Sequence, residues 1–178
     1  MVTLMEQLIL VDRNDKVLGY GEKMECHSIP TKLHRAISVF IFNDGGEMLI
    51  HKRAQGKKTW PGFWTNACCS HPLRLADSDE SHEHAAKRRT MQELGIEIEP
   101  KFLFKFEYKA DYDREWGENE LDWVFAAKHN GAIKPDKNEV EEWKYISKEE
   151  LKKEVKKNPE KYTPWFKIAL DRVLELNK

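Results

Sequence analysis

Residues 80–95 read ESHEHAAKRRTMQELG, and they form a clearly bounded helical pattern in a chain that is otherwise rich in strand patterns. The pattern predicts a helix over residues 81–94, because Gly95 can adopt the left-handed conformation that commonly closes a helix. The segments before and after it are short and rich in β-branched and aromatic residues, which favour strands. The helix is therefore expected to lie between strands.

Strand patterns flank this helix on both sides, and two more helices end the chain. Ser147 and Glu150 fit a capping box that opens a helix through about Lys157. Thr163-Pro164 fits a cap followed by proline, which predicts a helix to about Leu176. The predicted strands are 6–11, 16–20, 36–43, 47–53, 96–99, 102–112, 121–128 and 143–146, with a short extended stretch at 64–70 and a loop at 57–63. Strands and helices that do not alternate strictly predict an α+β fold, a mixed β-sheet flanked by helices, in one domain spanning 1–178.

Composition excludes several classes of protein. Of 178 residues, 40% are hydrophobic and the formal net charge is −1, so the chain has no general attraction to nucleic acid or to an anionic membrane. Neither a signal peptide nor a membrane span is expected. The odd cysteine count, Cys26 with the adjacent Cys68 and Cys69, argues against a secreted disulfide framework and favours a cytoplasmic location. No oligomeric state is predicted.

Five residues are candidate metal ligands. The loop between His27 and His34 contains Pro30 and is long enough to bring both imidazoles to one point. Glu118 and Glu120 project from one face if their backbone is extended, because side chains alternate along a strand. With His71 they form a set of three imidazoles and two carboxylates, which suits Mn, Zn or Mg. The alternative is that each is a solvated surface group, as we expect for His51, His82, His84 and His129.

Residues 60–72, WPGFWTNACCSHP, combine aromatic rings with two thiols. On a strand, Cys69 and His71 share a face while Cys68 points the other way. A thiol in a dry aromatic pocket keeps its proton, which suits a general acid, and aromatic faces can stabilise a cation. The alternative is that both cysteines are small core hydrophobes.

Basic residues border this segment. Lys52-Arg53 and Lys57-Lys58 could grip a diphosphate at a pocket mouth, or they could belong to a solvated loop. Glu80, Arg88 and Glu93 with Leu94-Gly95 have the spacing of a Nudix box, a loop-helix-loop motif that binds metal and diphosphate. The leading Gly of that motif is replaced by Arg74, and two of its metal-binding Glu are replaced by Arg89 and Gln92. These replacements argue against ordinary Nudix hydrolysis while the fold stays plausible, and Glu93 could still serve a magnesium ion.

Taken together, these motifs resemble the type I isopentenyl diphosphate isomerases, which are Nudix-fold enzymes. The resemblance runs from about His27 to Trp165 and includes residues 60–72, 92–95, 118–120 and 163–165. One departure is length, because only thirteen residues follow Trp165 and many members have more at one end.

The resemblance implies an isoprenoid diphosphate as substrate and a role for each matching residue. Cys69 and Glu120 would be a catalytic pair on opposite faces of the alkene, with Tyr108 as a partner of the acid and Trp165 facing a tertiary carbocation. The diphosphate would contact Lys23, Arg53, Lys57 and Arg89, with magnesium near Glu93. One divalent metal would be held by His27, His34, His71, Glu118 and Glu120.

Two rival hypotheses stay open at this point. A Nudix pyrophosphohydrolase acting on a nucleoside diphosphate would share the fold, but the missing carboxylates argue against it. A non-enzymatic domain stabilised by zinc would use the cysteines and histidines, but structural zinc often takes Cys-x-x-Cys pairs and this chain has none.

Overall fold

The computed structural model describes residues 6–177, so the expectation that no leader is present falls partly on residues outside this range. The helices are α1 (Lys23–His27), α2 (His82–Leu94), α3 (Lys148–Lys157) and α4 (Pro164–Leu176), with a 3₁₀ turn at Pro159–Lys161. The strands are β1 (Gln7–Val11), β2 (Val17–Glu22), β3 (His34–Phe42), β4 (Met48–Arg53), β5 (Trp64–Thr65), β6 (Cys68–Ser70), β7 (Lys101–Asp111), β8 (Gly117–Lys128) and β9 (Val140–Ile146).

The strands form one mixed sheet with β3 at its centre. β3 runs parallel to β8 over the whole span from His34↔Glu120 to Phe42↔Lys128. It is antiparallel to β1, β4 and β6, and β7 and β9 extend the sheet from β8 and β4. The predicted α+β fold with a mixed sheet and flanking helices is confirmed.

Two hydrophobic layers cover the two faces of the sheet, because successive side chains of a strand point to opposite sides. Phe40 belongs to one layer, where its ring stacks on Phe166 of α4 at 6.0 Å between centroids. Val39 belongs to the other layer, which also contains Ala85 and Ala86 of α2. Burial of alternate residues on both faces explains the nearly continuous apolar run of β3.

Three local features differ from the sequence-based expectations. The strand predicted at 96–99 is wrong: Ile96 and Ile98 are buried, but no described strand pairs with this segment. Alternate residues of this segment are buried, as they would be in a strand, but the segment forms no ladder of hydrogen bonds with a described strand. The extended stretch at 64–70 is split into β5 and β6, and the one-turn helix α1 was not predicted because five residues are too few to show a helical period.

Within residues 6–177, no helix combines the length and apolar character needed to cross a bilayer.

Gly95 closes α2 in the left-handed conformation, with φ of 66°. A Cβ atom at this position would lie 2.9 Å from the Lys134 carbonyl oxygen. Gly95→Ala is therefore expected to lower the free energy of unfolding by at least about 1–2 kcal/mol, the cost of left-handed backbone for a residue with a Cβ. Denaturant unfolding measures this, with Gly56→Ala as control, because a Cβ there meets nothing within 4 Å. Equal losses in both variants would contradict the explanation.

Candidate active site

The five predicted ligand residues converge at one end of β3 and β8. His27 ends α1, His34 begins β3 and His71 follows β6, while Glu118 and Glu120 lie on the same face of β8. One potential ligand atom from each residue lies within 4.8 Å of every other. The sheet register explains part of this meeting, because His34 is the direct neighbour of Glu120 across the parallel pair. The predicted convergence of separate segments is confirmed.

The imidazoles are oriented for metal binding. The Nδ1 atoms of His27 and His34 lie 2.8 Å and 2.7 Å from the carbonyl oxygens of Lys23 and Lys32. A carbonyl only accepts, so Nδ1 carries the hydrogen and Nε2 is left as the ligand atom. The His34 Nε2 atom is buried and has no hydrogen-bond partner among the described residues. An orphaned buried nitrogen facing two carboxylates fits a divalent cation.

The ionisable groups of the cluster shift one another's pKa values in opposite directions. Burial lowers the pKa of His27, but the Glu118 carboxylate, 2.9 Å from its Nε2, outweighs burial and raises that pKa to about 9. Burial and the neighbouring His34 and His27 hold the pKa of His71 well below its usual value. Bringing three imidazoles together therefore disfavours protonation of at least one of them, which leaves a free lone pair for a metal.

Glu120 occupies the centre of the site. Its Oε1 lies 2.8 Å from His71 Nε2, and its Oε2 accepts a 2.5 Å hydrogen bond from the Tyr108 hydroxyl. The second contact follows from the register of β7 and β8, in which Tyr108 pairs with Glu120. Burial raises the pKa of Glu120, but the imidazole of His34, 3.6 Å away, outweighs it and the pKa is lowered. Glu120 is thus ionised at neutral pH.

The two adjacent cysteines face opposite sides of β6, as predicted. Cys68 is fully buried in the layer beneath α2, and Cys69 is partly exposed in the same cavity as His71, Tyr108 and Glu120. Burial, followed by the charge of Asp122, raises the pKa of the Cys69 thiol to about 12. The thiol therefore keeps its proton at neutral pH.

Polar side chains fix the position of the Cys69 sulfur. The thiol donates to Asn66 Oδ1 at 3.0 Å, and the Trp165 indole N–H approaches the sulfur at 2.9 Å. The Asn66 amide is itself held by Nδ2 bonds to the carbonyls of Val39 and Cys68. On the other side, Ser38 Oγ lies 3.8 Å from the sulfur.

Ser38 also connects the sulfur to a second buried acid. Ser38 Oγ donates a 2.7 Å hydrogen bond to Asp122 Oδ2, and Asp122 Oδ1 has no partner among the described residues. Burial and the charge of Glu120 raise the pKa of Asp122 well above its usual range. Ser38 therefore connects the thiol to a second buried carboxyl group.

The basic residues occupy the mouth of the cavity, but each already has a protein partner. Arg53 donates to the carbonyl oxygens of Thr59 and Trp60, and its guanidinium lies 5.2 Å from the Trp165 ring centroid. Lys23 Nζ lies 2.7 Å from Glu6 Oε2.

Lys57 and Arg89 are joined by Glu139, which pairs with both. Arg89 also reaches Glu93 at 2.7 Å. Burial raises the pKa of Glu139, but the Lys57 charge dominates and lowers it to about 2. Glu93 is buried at the end of α2 and is reached from the cavity through Arg89, so it stands apart from the five-ligand cluster.

Most of the predicted site residues surround one cavity of about 240 Å³. Twelve of the thirteen predicted site residues are brought together: Lys23, Arg53, Lys57, Arg89, Cys69, Glu120, Tyr108, Trp165, His27, His71 and Glu118 line the cavity, and His34 lies behind it in the ligand cluster. The thirteenth is Glu93.

One expectation about histidines is wrong. His51 is buried, not solvated, and its Nδ1 donates to the Ala67 carbonyl at 3.1 Å. Burial, then the Arg53 charge, lowers its pKa to about 3. It pairs with Thr65 across β4 and β5 as part of the sheet. His82 and His129 are half-buried and His84 is exposed.

Sequence reasoning missed several polar residues of the site, among them Thr59, Asn66, Asp122 and Glu139. Asn66 lies inside the aromatic and thiol segment, and Asp122 continues the alternation of Glu118 and Glu120, so both left a signal. Thr59 and Glu139 act on partners 59 and 50 residues away, and no local pattern marks them.

Comparison with known proteins places this geometry in a protein class. A model of the NUDIX domain family matches residues 32–166. Two solved structures share the fold: a protein from Deinococcus radiodurans has a TM-score of 0.67 at 17% identity, covering 85% of this chain and 90% of its own. A MutT protein from Methanosarcina mazei has a TM-score of 0.64 at 19% identity, covering 82% of this chain and 96% of its own.

Sequence similarity is much higher to one branch of this class. The isopentenyl-diphosphate Delta-isomerase 1 of Mesocricetus auratus is 42% identical over 189 residues, covering 96% of this chain and 83% of that protein. The chain belongs to the isopentenyl-diphosphate delta-isomerase family, within the NUDIX superfamily.

Proposed function

We propose that this chain interconverts isopentenyl diphosphate and dimethylallyl diphosphate by adding and removing protons through a tertiary carbocation. The observation that carries the proposal is that Cys69 and Glu120 line one small cavity with opposite protonation preferences. The thiol holds a proton and the carboxylate is ionised. Such a pair can exchange one proton with each side of a bound five-carbon chain.

The contacts of the Cys69 thiol favour transfer of its proton. Asn66 accepts from the Cys69 thiol, and the Trp165 N–H contacts the same sulfur, so any negative charge on sulfur would be stabilised by a donor already in place. On the carboxylate side, the Tyr108 hydroxyl donates a hydrogen bond to Glu120. Burial, then the Glu120 charge, holds the pKa of Tyr108 well above its usual value, so it stays a donor.

The carbocation would be stabilised by Trp165 and by nearby negative charge. The guanidinium of Arg53 already lies over the indole, so the proposal assigns the carbocation to the remaining face of the ring. Such aromatic contacts contribute roughly 0.5–2 kcal/mol each. Tyr108 and Trp60 pack against the same indole at 6.1 Å and 5.4 Å between centroids and keep it in place.

The diphosphate would bind the basic mouth formed by Lys23, Arg53, Lys57 and Arg89. The Glu139 carboxylate forms ion pairs with Lys57 and Arg89. A diphosphate must therefore compete with Glu139 for these cations, or bind a magnesium ion together with Glu93. Lys57 and Arg89 are thereby preorganised beside the cavity before any substrate arrives.

The metal cluster would hold one divalent ion through His27, His34, His71, Glu118 and Glu120, with Mn, Zn or Mg as the candidates. When bound, the ion supplies positive charge that favours the ionised form of Glu120. The residues themselves fix the carboxylate beside Tyr108 and exclude water from it.

One assay tests the activity. Purified protein with magnesium and isopentenyl diphosphate is expected to give the dimethylallyl isomer and no free phosphate. Release of phosphate from a nucleoside diphosphate, without isomerisation, would favour a pyrophosphohydrolase instead. We also propose that the protein is cytoplasmic and that the chain forms one catalytic domain.

A further inference from the structure

The loop of residues 54–63, here called the basic loop, is anchored through its own backbone carbonyls. Arg53 Nη2 donates to the Thr59 carbonyl at 2.9 Å, and Arg53 Nε donates to the Trp60 carbonyl at 3.1 Å. The loop carries a residue in left-handed backbone, Trp60 with φ of 43°, a conformation that persists only where neighbours hold it. The Thr59 backbone is thus fixed by a residue at the mouth of the cavity.

The side chain of the same residue reaches the metal cluster. Thr59 Oγ1 lies 2.7 Å from Glu118 Oε1, and both residues are about 5% exposed. The Thr59 hydroxyl is the donor of this hydrogen bond and the carboxyl oxygen accepts it. The other oxygen, Oε2, lies 2.9 Å from His27 Nε2 and therefore faces the cluster. Thr59 thus binds one oxygen of Glu118, and the other oxygen faces the cluster.

We propose that Thr59 is a positioning residue that orients the metal ligand Glu118 and connects it to the basic loop. This rests on the proposed function only in taking the cluster as a metal site. Carboxylates that bind metal are themselves hydrogen-bonded, and losing such a partner typically weakens metal binding 10–100-fold. Without the hydroxyl, Glu118 would keep one buried oxygen without a donor and could rotate away from the cluster.

Three variants separate positioning from simple packing. Thr59→Val keeps the shape of the side chain and removes the donor, whereas Thr59→Ser keeps the donor and removes a methyl group. Thr90→Val is the matched control: Thr90 is also buried, and its hydroxyl has no partner within residues 6–177. Thermal unfolding of each variant verifies that the fold is retained.

The measurement is Mn²⁺ affinity of the full-length protein after its metal has been removed by a chelator. We expect Thr59→Val to bind Mn²⁺ 10–100-fold more weakly than wild type. Thr59→Ser and Thr90→Val are expected to stay within about threefold of wild type. Wild-type affinity in Thr59→Val, or an equal loss in Thr59→Ser, would overturn the proposal.

The result is independent of the isomerase assay, because no substrate is present. If wild-type protein fails to isomerise while Thr59→Val loses Mn²⁺ affinity as expected, the proposed function falls and the role of Thr59 stands. If the protein isomerises and Thr59→Val has wild-type metal affinity, the proposed function stands and the role of Thr59 falls.

Discussion

Cys69→Ala is expected to abolish isomerase turnover, lowering kcat by at least about 10²–10⁴-fold, the range for a missing general acid or base. The methyl group of alanine fits the same space but has no acidic proton to transfer, and the Trp165 N–H and the Asn66 oxygen lose their partner. Steady-state kinetics with isopentenyl diphosphate measures the effect. KM is expected to change little, since the basic mouth is untouched.

The adjacent thiol provides a matched control. Cys68 is a residue of the same type, one position away, but it packs in the layer beneath α2. Cys68→Ala is expected to alter packing and stability, at a cost of order 1 kcal/mol, while turnover is retained. Equal activity in the two variants would remove the Cys69 thiol from the mechanism.

Glu120→Gln is expected to lose turnover and metal together. An amide keeps the size of the carboxylate and can still accept from Tyr108, but it lacks the charge that a cation and a proton both need. Loss of a direct ligand should exceed the 10–100-fold effect of a neighbouring partner on metal affinity. Elemental analysis of the purified variant, together with kcat, measures both losses.

The control for this variant is Glu107→Gln, which removes a carboxylate from the exposed face of β7, next to Tyr108 in sequence. It is expected to leave metal content and turnover at wild-type levels. A Glu120→Gln protein that is metal-replete and fully active would contradict the dual role of this carboxylate.

The sequence predicts the meeting of the five candidate ligands well because their arrangement depends partly on local rules. Glu118 and Glu120 alternate along a strand, and the opposite orientations of Cys68 and Cys69 follow from the same period. The helix ending at Gly95 was equally clear, since glycine in left-handed backbone is a strong local signal.

Other features depend on long-range packing and left no local pattern. Thr59 meets Glu118, and Glu139 meets Lys57 and Arg89, only because the sheet register and the loops bring distant segments together. Residues 96–99 show the converse: Ile96 and Ile98 alternate like a strand, yet no strand within residues 6–177 pairs with this segment. Burial of His51 likewise follows from its position between β5 and β9, which its own neighbours in sequence do not reveal.

The central claim is that a thiol and an ionised carboxylate move protons on and off one five-carbon chain. Incubation of the wild-type protein with isopentenyl diphosphate in deuterated water tests it directly, since both groups exchange their protons with solvent. The claim predicts deuterium in the new methyl group of dimethylallyl diphosphate, read by mass spectrometry. An isomerised product without label would contradict it.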